Sequence, residues 1–245
     1  MRKGSMTSAH IALLPWDPLD GNHYQRLYEQ RVACLWGYEE VTLWQQRVLE
    51  GYKMMYWIVL ADEIPEKDGW LKAHVEDFPH EHEPLIDSAT KLGVVSRMPT
   101  RKPFLPVGHM GLELFPERNT RFDLPANTYW VKSFYVSRAL QGLGIGRSAM
   151  LQVEGIAARP PFGSSFLALD TVRETDFDDI VEQDDSQAGV PRPPLPLVRS
   201  SQRWYLRQGY QVMGYEDDYY RYRDPDSGEW ITASAVFMRK MLSLG

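Results

Sequence analysis

Three glycines at alternate positions, Gly142, Gly144 and Gly146, fall between an apolar run, Thr128–Val136, and an amphipathic run that starts at once behind them. No other stretch limits the fold so strongly. Thr128–Val136 has the aromatic and β-branched content of a strand. Behind it, Ile145, Ala149, Val153 and Ile156 recur at helical spacing until Pro160-Pro161 ends the pattern. A strand, a glycine loop and a helix therefore follow one another without a spacer. Glycine lets the backbone approach a ligand closely and adopt positive φ. A helix start offers unpaired N–H groups and the positive end of a dipole. The combination is an anion site suited to a pyrophosphate, and Arg147 in the first turn adds a charge-assisted contact.

The remaining pattern predicts one α/β unit in the order β α α β β β α β α β β. Ile11–Leu14 reads as a strand and Asn22 as a helix cap with Gln25 as its capping-box partner. Tyr24, Tyr28, Val32 and Leu35 give that helix one apolar face, and Gly37 stops it. Val41, Trp44 and Val48 mark a second helix before the buried strand Met54–Leu60. Val107–Leu114 and Phe166–Leu169 are further strands, with a turn at Pro116–Asn119. A short helix capped by Ser200 or Ser201 ends at Gly209, and strands Tyr210–Tyr215 and Ile231–Arg239 close the chain. Residues 1–8 read as a leader or expression scar, and 9–245 as a single domain. Two insertions interrupt it: 62–106, with lost periodicity, and 172–199, acidic and then proline-rich, read as a surface lid.

Composition excludes several function classes. Apolar residues are 43% and charged residues 24% of the 245, which is ordinary globular usage. The longest unbroken apolar run, Met54–Ala61, has eight residues, where a membrane span needs about 20. A net charge of −6 without a basic run argues against nucleic acid as a partner. The single cysteine, Cys34, precludes an intramolecular disulfide and fits a reducing compartment, the cytoplasm. His74, His80 and His82, among Glu76, Asp77, Glu81 and Glu83, lie in a polar segment with two prolines. That segment reads as a solvated loop, and no metal site is expected. His109, on a strand, reads as a satisfied core histidine.

Two ligand classes compete for the glycine loop. Gly144-x-Gly146-x-x-Ala149, with Asp170 downstream, matches a dinucleotide fingerprint. Yet the first glycine of that fingerprint follows its strand directly, and here it stands eight positions after Val136. Gln141-x-x-Gly144-x-Gly146, behind Phe134-Tyr135-Val136, instead resembles the acetyl-CoA signature Q/R-x-x-G-x-G/A of the GNAT superfamily of N-acyltransferases. A second hallmark, a tyrosine four residues before the glycine-aromatic pair ending the last helix, matches Tyr205 with Gly209-Tyr210. The derived element order agrees with that superfamily from Ile11 to Arg239.

The resemblance implies a mixed, mostly antiparallel sheet of about seven strands flanked by about four helices. It implies acetyl-CoA as co-substrate and a primary amine as acceptor, attacked directly in a ternary complex. Phe134, Tyr135 and Val136 would hold the pantetheine arm along their strand. Gln141, Gly142, Leu143, Gly144, Ile145, Gly146 and Arg147 would wrap the pyrophosphate. Tyr205 would protonate the leaving thiolate. Many members carry a glutamate base at the position of Trp130, and many an asparagine where this chain has Val198-Arg199-Ser200. Glu113 and Asp170 are the substitutes for the missing base. The alternative is a GNAT-shaped acyl-CoA sensor without turnover. An acidic, aromatic-rich composition points to a cationic amine, with protein amines also open. The oligomeric state has no signal in the sequence.

Overall fold

The computed structural model describes residues 11–93, 95–174, 201–223 and 229–243. The lid expected at 172–199 lies almost wholly outside these residues, as does Val198-Arg199-Ser200. In chain order the elements are β1 (Ile11–Pro15), α1 (Gly21–Ala33), α2 (Val41–Leu49), β2 (Lys53–Leu60) and α3 (Lys67–Asp77). The short strands β3 (Leu85–Ile86), β4 (Lys91–Leu92), β5 (Val95–Ser96) and β6 (Pro103–Phe104) follow. Then come β7 (Pro106–Leu114), α4 (Pro116–Arg121), β8 (Tyr129–Val136), α5 (Ile145–Ala158) and β9 (Phe166–Val172). The last are α6 (Gln202–Leu206), β10 (Gln211–Arg223) and β11 (Trp230–Met241).

Seven strands form one sheet in the order β1-β2-β7-β8-β9-β11-β10. Every neighbouring pair is antiparallel except β8 with β9. That parallel pair needs a crossover, and α5 supplies it. Side chains alternate between the faces of a strand. On β2, Met54, Tyr56 and Ile58 pack with α5 through Ala149, Met150 and Val153, while Met55 and Trp57 pack with Leu27, Val41 and Trp44 of α1 and α2. Each fully buried aliphatic or aromatic side chain there contributes about 1.5–3 kcal/mol. Among the described residues no helix is long and apolar enough to cross a membrane.

Three local readings change. Asp20 caps α1, its side chain accepting from the N–H groups of Asn22 (2.8 Å) and His23 (3.4 Å), because the helix starts at Gly21, one residue ahead of the expected cap. Pro116–Arg121 is a short helix, since proline suits a first helical turn as well as a β-turn. The apolar face expected on the first helix is only partly buried: Tyr24 packs against the cluster of Leu27, Val41 and Trp44, whereas Tyr28, Val32 and Leu35, the last just beyond α1, are 37–43% exposed. Its buried stripe is His23, Arg26, Leu27, Gln30 and Arg31, at i, i+3, i+4, i+7 and i+8. A polar stripe goes inside because the surface it meets is itself polar.

The insertion at 62–106 is ordered around two side chains. Asp87, fully buried, accepts from Arg97 Nη1 (2.5 Å) and Nη2 (2.9 Å) and from the N–H (2.7 Å) and hydroxyl (2.8 Å) of Thr100. Those bonds, the Arg97 contact first, hold its carboxyl down at about 2. Glu81, read from the sequence as solvated, is also fully buried, with Gln30 Nε2 at 2.7 Å and His74 Nε2 at 3.4 Å.

Candidate acetyl-transfer site

The site begins with a defect in the sheet. Ser133 has φ +54°, and the register of β7 against β8 shifts between His109 and Gly111. This is a β-bulge, which bends a strand and strengthens its twist. The parallel ladder to β9 has only three pairs, Tyr129↔Leu167, Trp130↔Ala168 and Val131↔Leu169, and stops there. From Lys132 onward β8 keeps β7 on one edge and leaves the other edge open. Ser137 N donates to Val107 O at 2.8 Å, so by alternation the N–H groups of Phe134 and Val136 point to the open edge. The Val136 carbonyl accepts from Gln141 Nε2 at 3.2 Å.

The glycine loop delivers the chain from that edge to α5. Gly142 has φ +85° and Gly144 φ +83°, a region that side chains other than glycine's reach only with strain. Gly144 caps α5 without a side-chain hydrogen bond, and Ser148 N→Gly144 O (3.0 Å) closes the first turn. The N–H groups of Ile145, Gly146 and Arg147 precede that bond and remain without helical partners. Leu143 packs against the core and Ile145 is buried, which anchors the loop, while Gln141 and Arg147 are exposed. Gly146 lies beneath two rings. A Cβ built there would stand 3.5 Å from Phe134 and 3.5 Å from Trp204, whose ring centroids are 6.1 Å apart.

Tyr205 follows Trp204 on α6 and is 7% exposed, with Tyr210 at a centroid distance of 5.6 Å. Burial pushes its phenol well above the ordinary range, and the charge of Asp170 adds to the shift. Tyr205 and Asp170 thus feel one another at the open edge. Asp170 accepts from Lys132 Nζ (2.9 Å), Arg118 Nη1 (2.8 Å) and the Tyr220 hydroxyl (2.5 Å). Burial alone would raise its pKa, but the charges of Lys132 and Arg118 and the hydrogen bonds outweigh it and hold the carboxyl below its usual value. Glu113 is bound by Lys53 Nζ at 2.7 Å and by Arg47. It faces Trp130 in the ladder, at the end of β8 away from the opening. The structure brings Phe134, Val136, the loop and Tyr205 together and keeps Glu113 apart.

A family description decides what this arrangement belongs to: the acetyltransferase (GNAT) family matches residues 51–178, just over half of the chain. The chain belongs to the GNAT family. No curated protein matches it significantly. Among solved structures, the Arabidopsis thaliana NAA60 complex with acetyl-CoA aligns over 95% of this chain and 98% of that one, at 9% identity and TM-score 0.52. An aminoglycoside 6'-N-acetyltransferase complexed with coenzyme A aligns over 96% and 98% (12% identity, TM-score 0.48). An IAA acetyltransferase from Bacillus cereus aligns over 95% and 99% (12%, 0.47).

In this GNAT chain several polar residues around the opening had no sequence signal strong enough to name them. Lys132 and Lys53 are lysines inside apolar strands, and that incongruity was the available clue. Burial lowers Lys53 to about 8 against the support of Glu113, and the like charges of Lys132 and Arg31 add to the drop. His109 is buried and held well below its usual pKa, first by burial and then by Arg31 and Lys53. Trp36, in the α1–α2 connection, meets Tyr220 edge to face at 5.6 Å and so closes over the Asp170 end.

Proposed function

We propose that the protein is an N-acetyltransferase that binds acetyl-CoA and transfers its acetyl group directly to a primary amine. One observation carries this reading: a strand edge with two N–H groups that are unpaired among the described residues opens next to a helix start reached through two positive-φ glycines. An extended pantetheine arm suits such an edge because it can add to it as a strand does. A pyrophosphate suits the uncapped start of α5. Gln141 through Arg147 would wrap it.

In this reading the neutral amine attacks the thioester carbonyl carbon, the C–S bond breaks, and the thiolate takes a proton. One proton leaves the attacking nitrogen and one joins the sulfur, so no net acid or base is consumed. A strand N–H at Val136 would polarise the carbonyl, and orientation of both substrates supplies most of the rate. Tyr205, kept protonated by burial, is the donor to the thiolate and regains its proton from water. Glu113 and Asp170 are both engaged by cations, and the proton of the amine is better passed to water. The free Cys34 agrees with a reducing compartment such as the cytoplasm, and we read 9–245 as one catalytic unit.

The competing reading, an acyl-CoA sensor without turnover, draws on the same engagement of both carboxylates. Calorimetry with acetyl-CoA, followed by thiol release over a panel of amines, separates them. Submillimolar binding with amine-dependent thiol release is expected. Binding without release for any amine would favour the sensor.

A further inference from the structure

The end of α3, inside the insertion at 62–106, closes on two residues that directly follow β8. His74 and Asp77 stand at i and i+3 on that helix, so they share a face, and Phe78 follows them. His74 Nδ1 lies 2.9 Å from Ser137 Oγ, and the Asp77 carboxylate accepts from Arg138 Nε at 2.8 Å. The Arg138 guanidinium carbon stands 5.0 Å from the Phe78 ring centroid. The outer pair, Asp77 with Arg138, is largely exposed and contributes little. The inner pair differs: His74 and Ser137 are fully buried, although the sequence around His74 reads as a solvated loop.

Behind His74 the contact is backed by charge. Its Nε2 is 3.4 Å from Glu81 Oε2, at ion-pair distance. The same oxygen accepts from Gln30 Nε2 at 2.7 Å, and Gln30 Nε2 also reaches Pro106 O at 3.2 Å. Placing the imidazole proton on Nε2, toward the carboxylate, leaves Nδ1 to accept from the Ser137 hydroxyl. The ring is thus held between a carboxylate of the insertion and a hydroxyl of the main sheet.

Ser137 is where the two halves of the candidate site meet. Its N–H donates to Val107 O at 2.8 Å, and its carbonyl accepts from Leu140 N at 2.9 Å, in the turn that leads to the glycine loop. The peptide plane it shares with Val136 carries the carbonyl that accepts from Gln141 Nε2. A tilt of that plane would displace the end of the open edge and the start of the loop together. A hydrogen bond from the Ser137 side chain resists such a tilt because it is directional, whereas an apolar contact is not.

Resting on the acetyl-CoA reading above, we propose that His74 is a positioning residue of this site: through Ser137 it holds the end of β8 and the start of the glycine loop in the one geometry that receives pantetheine and pyrophosphate together. The insertion acts on the cofactor only through that serine.

The test compares His74→Leu with His74→Asn. Leucine fills the space and removes the acceptor, whereas asparagine keeps an amide oxygen near the place of Nδ1. Both lose the Glu81 contact, and both should lower Tm. Only His74→Leu should raise the Kd for acetyl-CoA, by about 10-fold, the equivalent of one hydrogen bond; His74→Asn should stay within about threefold. Ser137→Ala removes a single oxygen and should match His74→Leu, and the two combined should be no worse than either alone. If His74→Leu does not fold, Ser137→Ala against the wild type carries the test. A Kd that follows Tm across the variants, or that does not move in Ser137→Ala, would overturn the proposal. If the wild type does not bind acetyl-CoA, the cofactor reading fails separately, and hydrogen exchange decides on the positioning role. The N–H groups of Leu140 and Gln141 bond Ser137 O and Arg138 O. They should exchange about 10-fold faster in His74→Leu and Ser137→Ala than in the wild type and His74→Asn. Equal exchange in all four proteins would overturn it.

Discussion

Lys132 Nζ of β8 and the Asp170 carboxylate of β9 meet at 2.9 Å, one position beyond Val131 and Leu169, where the parallel ladder ends. The ion pair takes over where backbone hydrogen bonds stop, so it fixes the point from which the two strands diverge. With Arg118 and Tyr220 on the same carboxylate, Asp170 has its acceptor positions filled. Its place in the chain suggests a base; its surroundings make it a positioning residue for the opening.

Asp170→Asn should therefore cost stability before it costs chemistry. Two cations lose their counter-charge, and breaking a buried pair from one side costs about 3 kcal/mol. Urea unfolding measures it. A loss below about 1 kcal/mol, the level of an exposed pair, would mean that the cluster is effectively solvated.

Tyr205→Phe keeps the ring and removes a hydroxyl that has no hydrogen-bond partner among the described residues, so Tm should hardly move. Turnover should fall about 100-fold if the hydroxyl protonates the thiolate. The Kd for acetyl-CoA should change little, because that proton moves only in the transition state. A variant within about threefold of the wild type would return Tyr205 to a packing role.

Gly144→Glu places a side chain at φ +83° and a carboxylate in front of the uncapped α5. The backbone strain is about 1–3 kcal/mol. Like-charge repulsion of a pyrophosphate costs several kcal/mol more, so acetyl-CoA affinity should drop by about 100-fold or greater. Native circular dichroism with unchanged affinity would remove the loop from the site.

Lys53 links stability to alkaline pH. Its folded pKa, about 8, lies below the unfolded value of 10.5, so the unfolded chain binds more protons between these two values. Burying the charged form is therefore a full cost below pH 8, and that cost is relieved as pH rises toward 10.5. Relative to Lys53→Met, the wild type should gain stability across that window. A difference between the two that is flat with pH would show that the lysine keeps an ordinary pKa.

Asp87 acts at the other end of the scale. Its folded pKa of about 2 is below the ordinary carboxylate value of 3.8, so its contribution is complete above that value and is lost as pH falls through 2. Asp87→Asn should destabilise the protein by about 2 kcal/mol at neutral pH, and the difference should vanish in acid. Guanidinium unfolding at pH 7 and at the lowest accessible pH gives both numbers. Hydrogen exchange should rise first around Thr100 and Arg101, whose backbone N–H groups bond Asp87.

The residues from Phe134 to Arg147 carried their own meaning in the sequence, because strand propensity, positive-φ glycines and an uncapped helix start are local properties. The succession of the main strands and helices along the chain followed from the same local signals, and so did Tyr205 on its short helix, whereas the order of the strands in the sheet and the parallel β8–β9 pair came only with the fold. The sequence could not show which face of α1 is buried. An apolar stripe at Tyr28, Val32 and Leu35 competed with a polar one at Arg26, Gln30 and Arg31, and hydrophobic spacing alone favours the first. The polar stripe is inside because Glu81, His109 and Tyr135, distant in sequence, meet it there. Likewise, only the fold determines that Asp170 and Glu113 are spent on lysines and arginines. Local propensity is written in neighbouring residues, whereas the pairing of buried charges depends on contacts between segments that the chain brings together only when it folds.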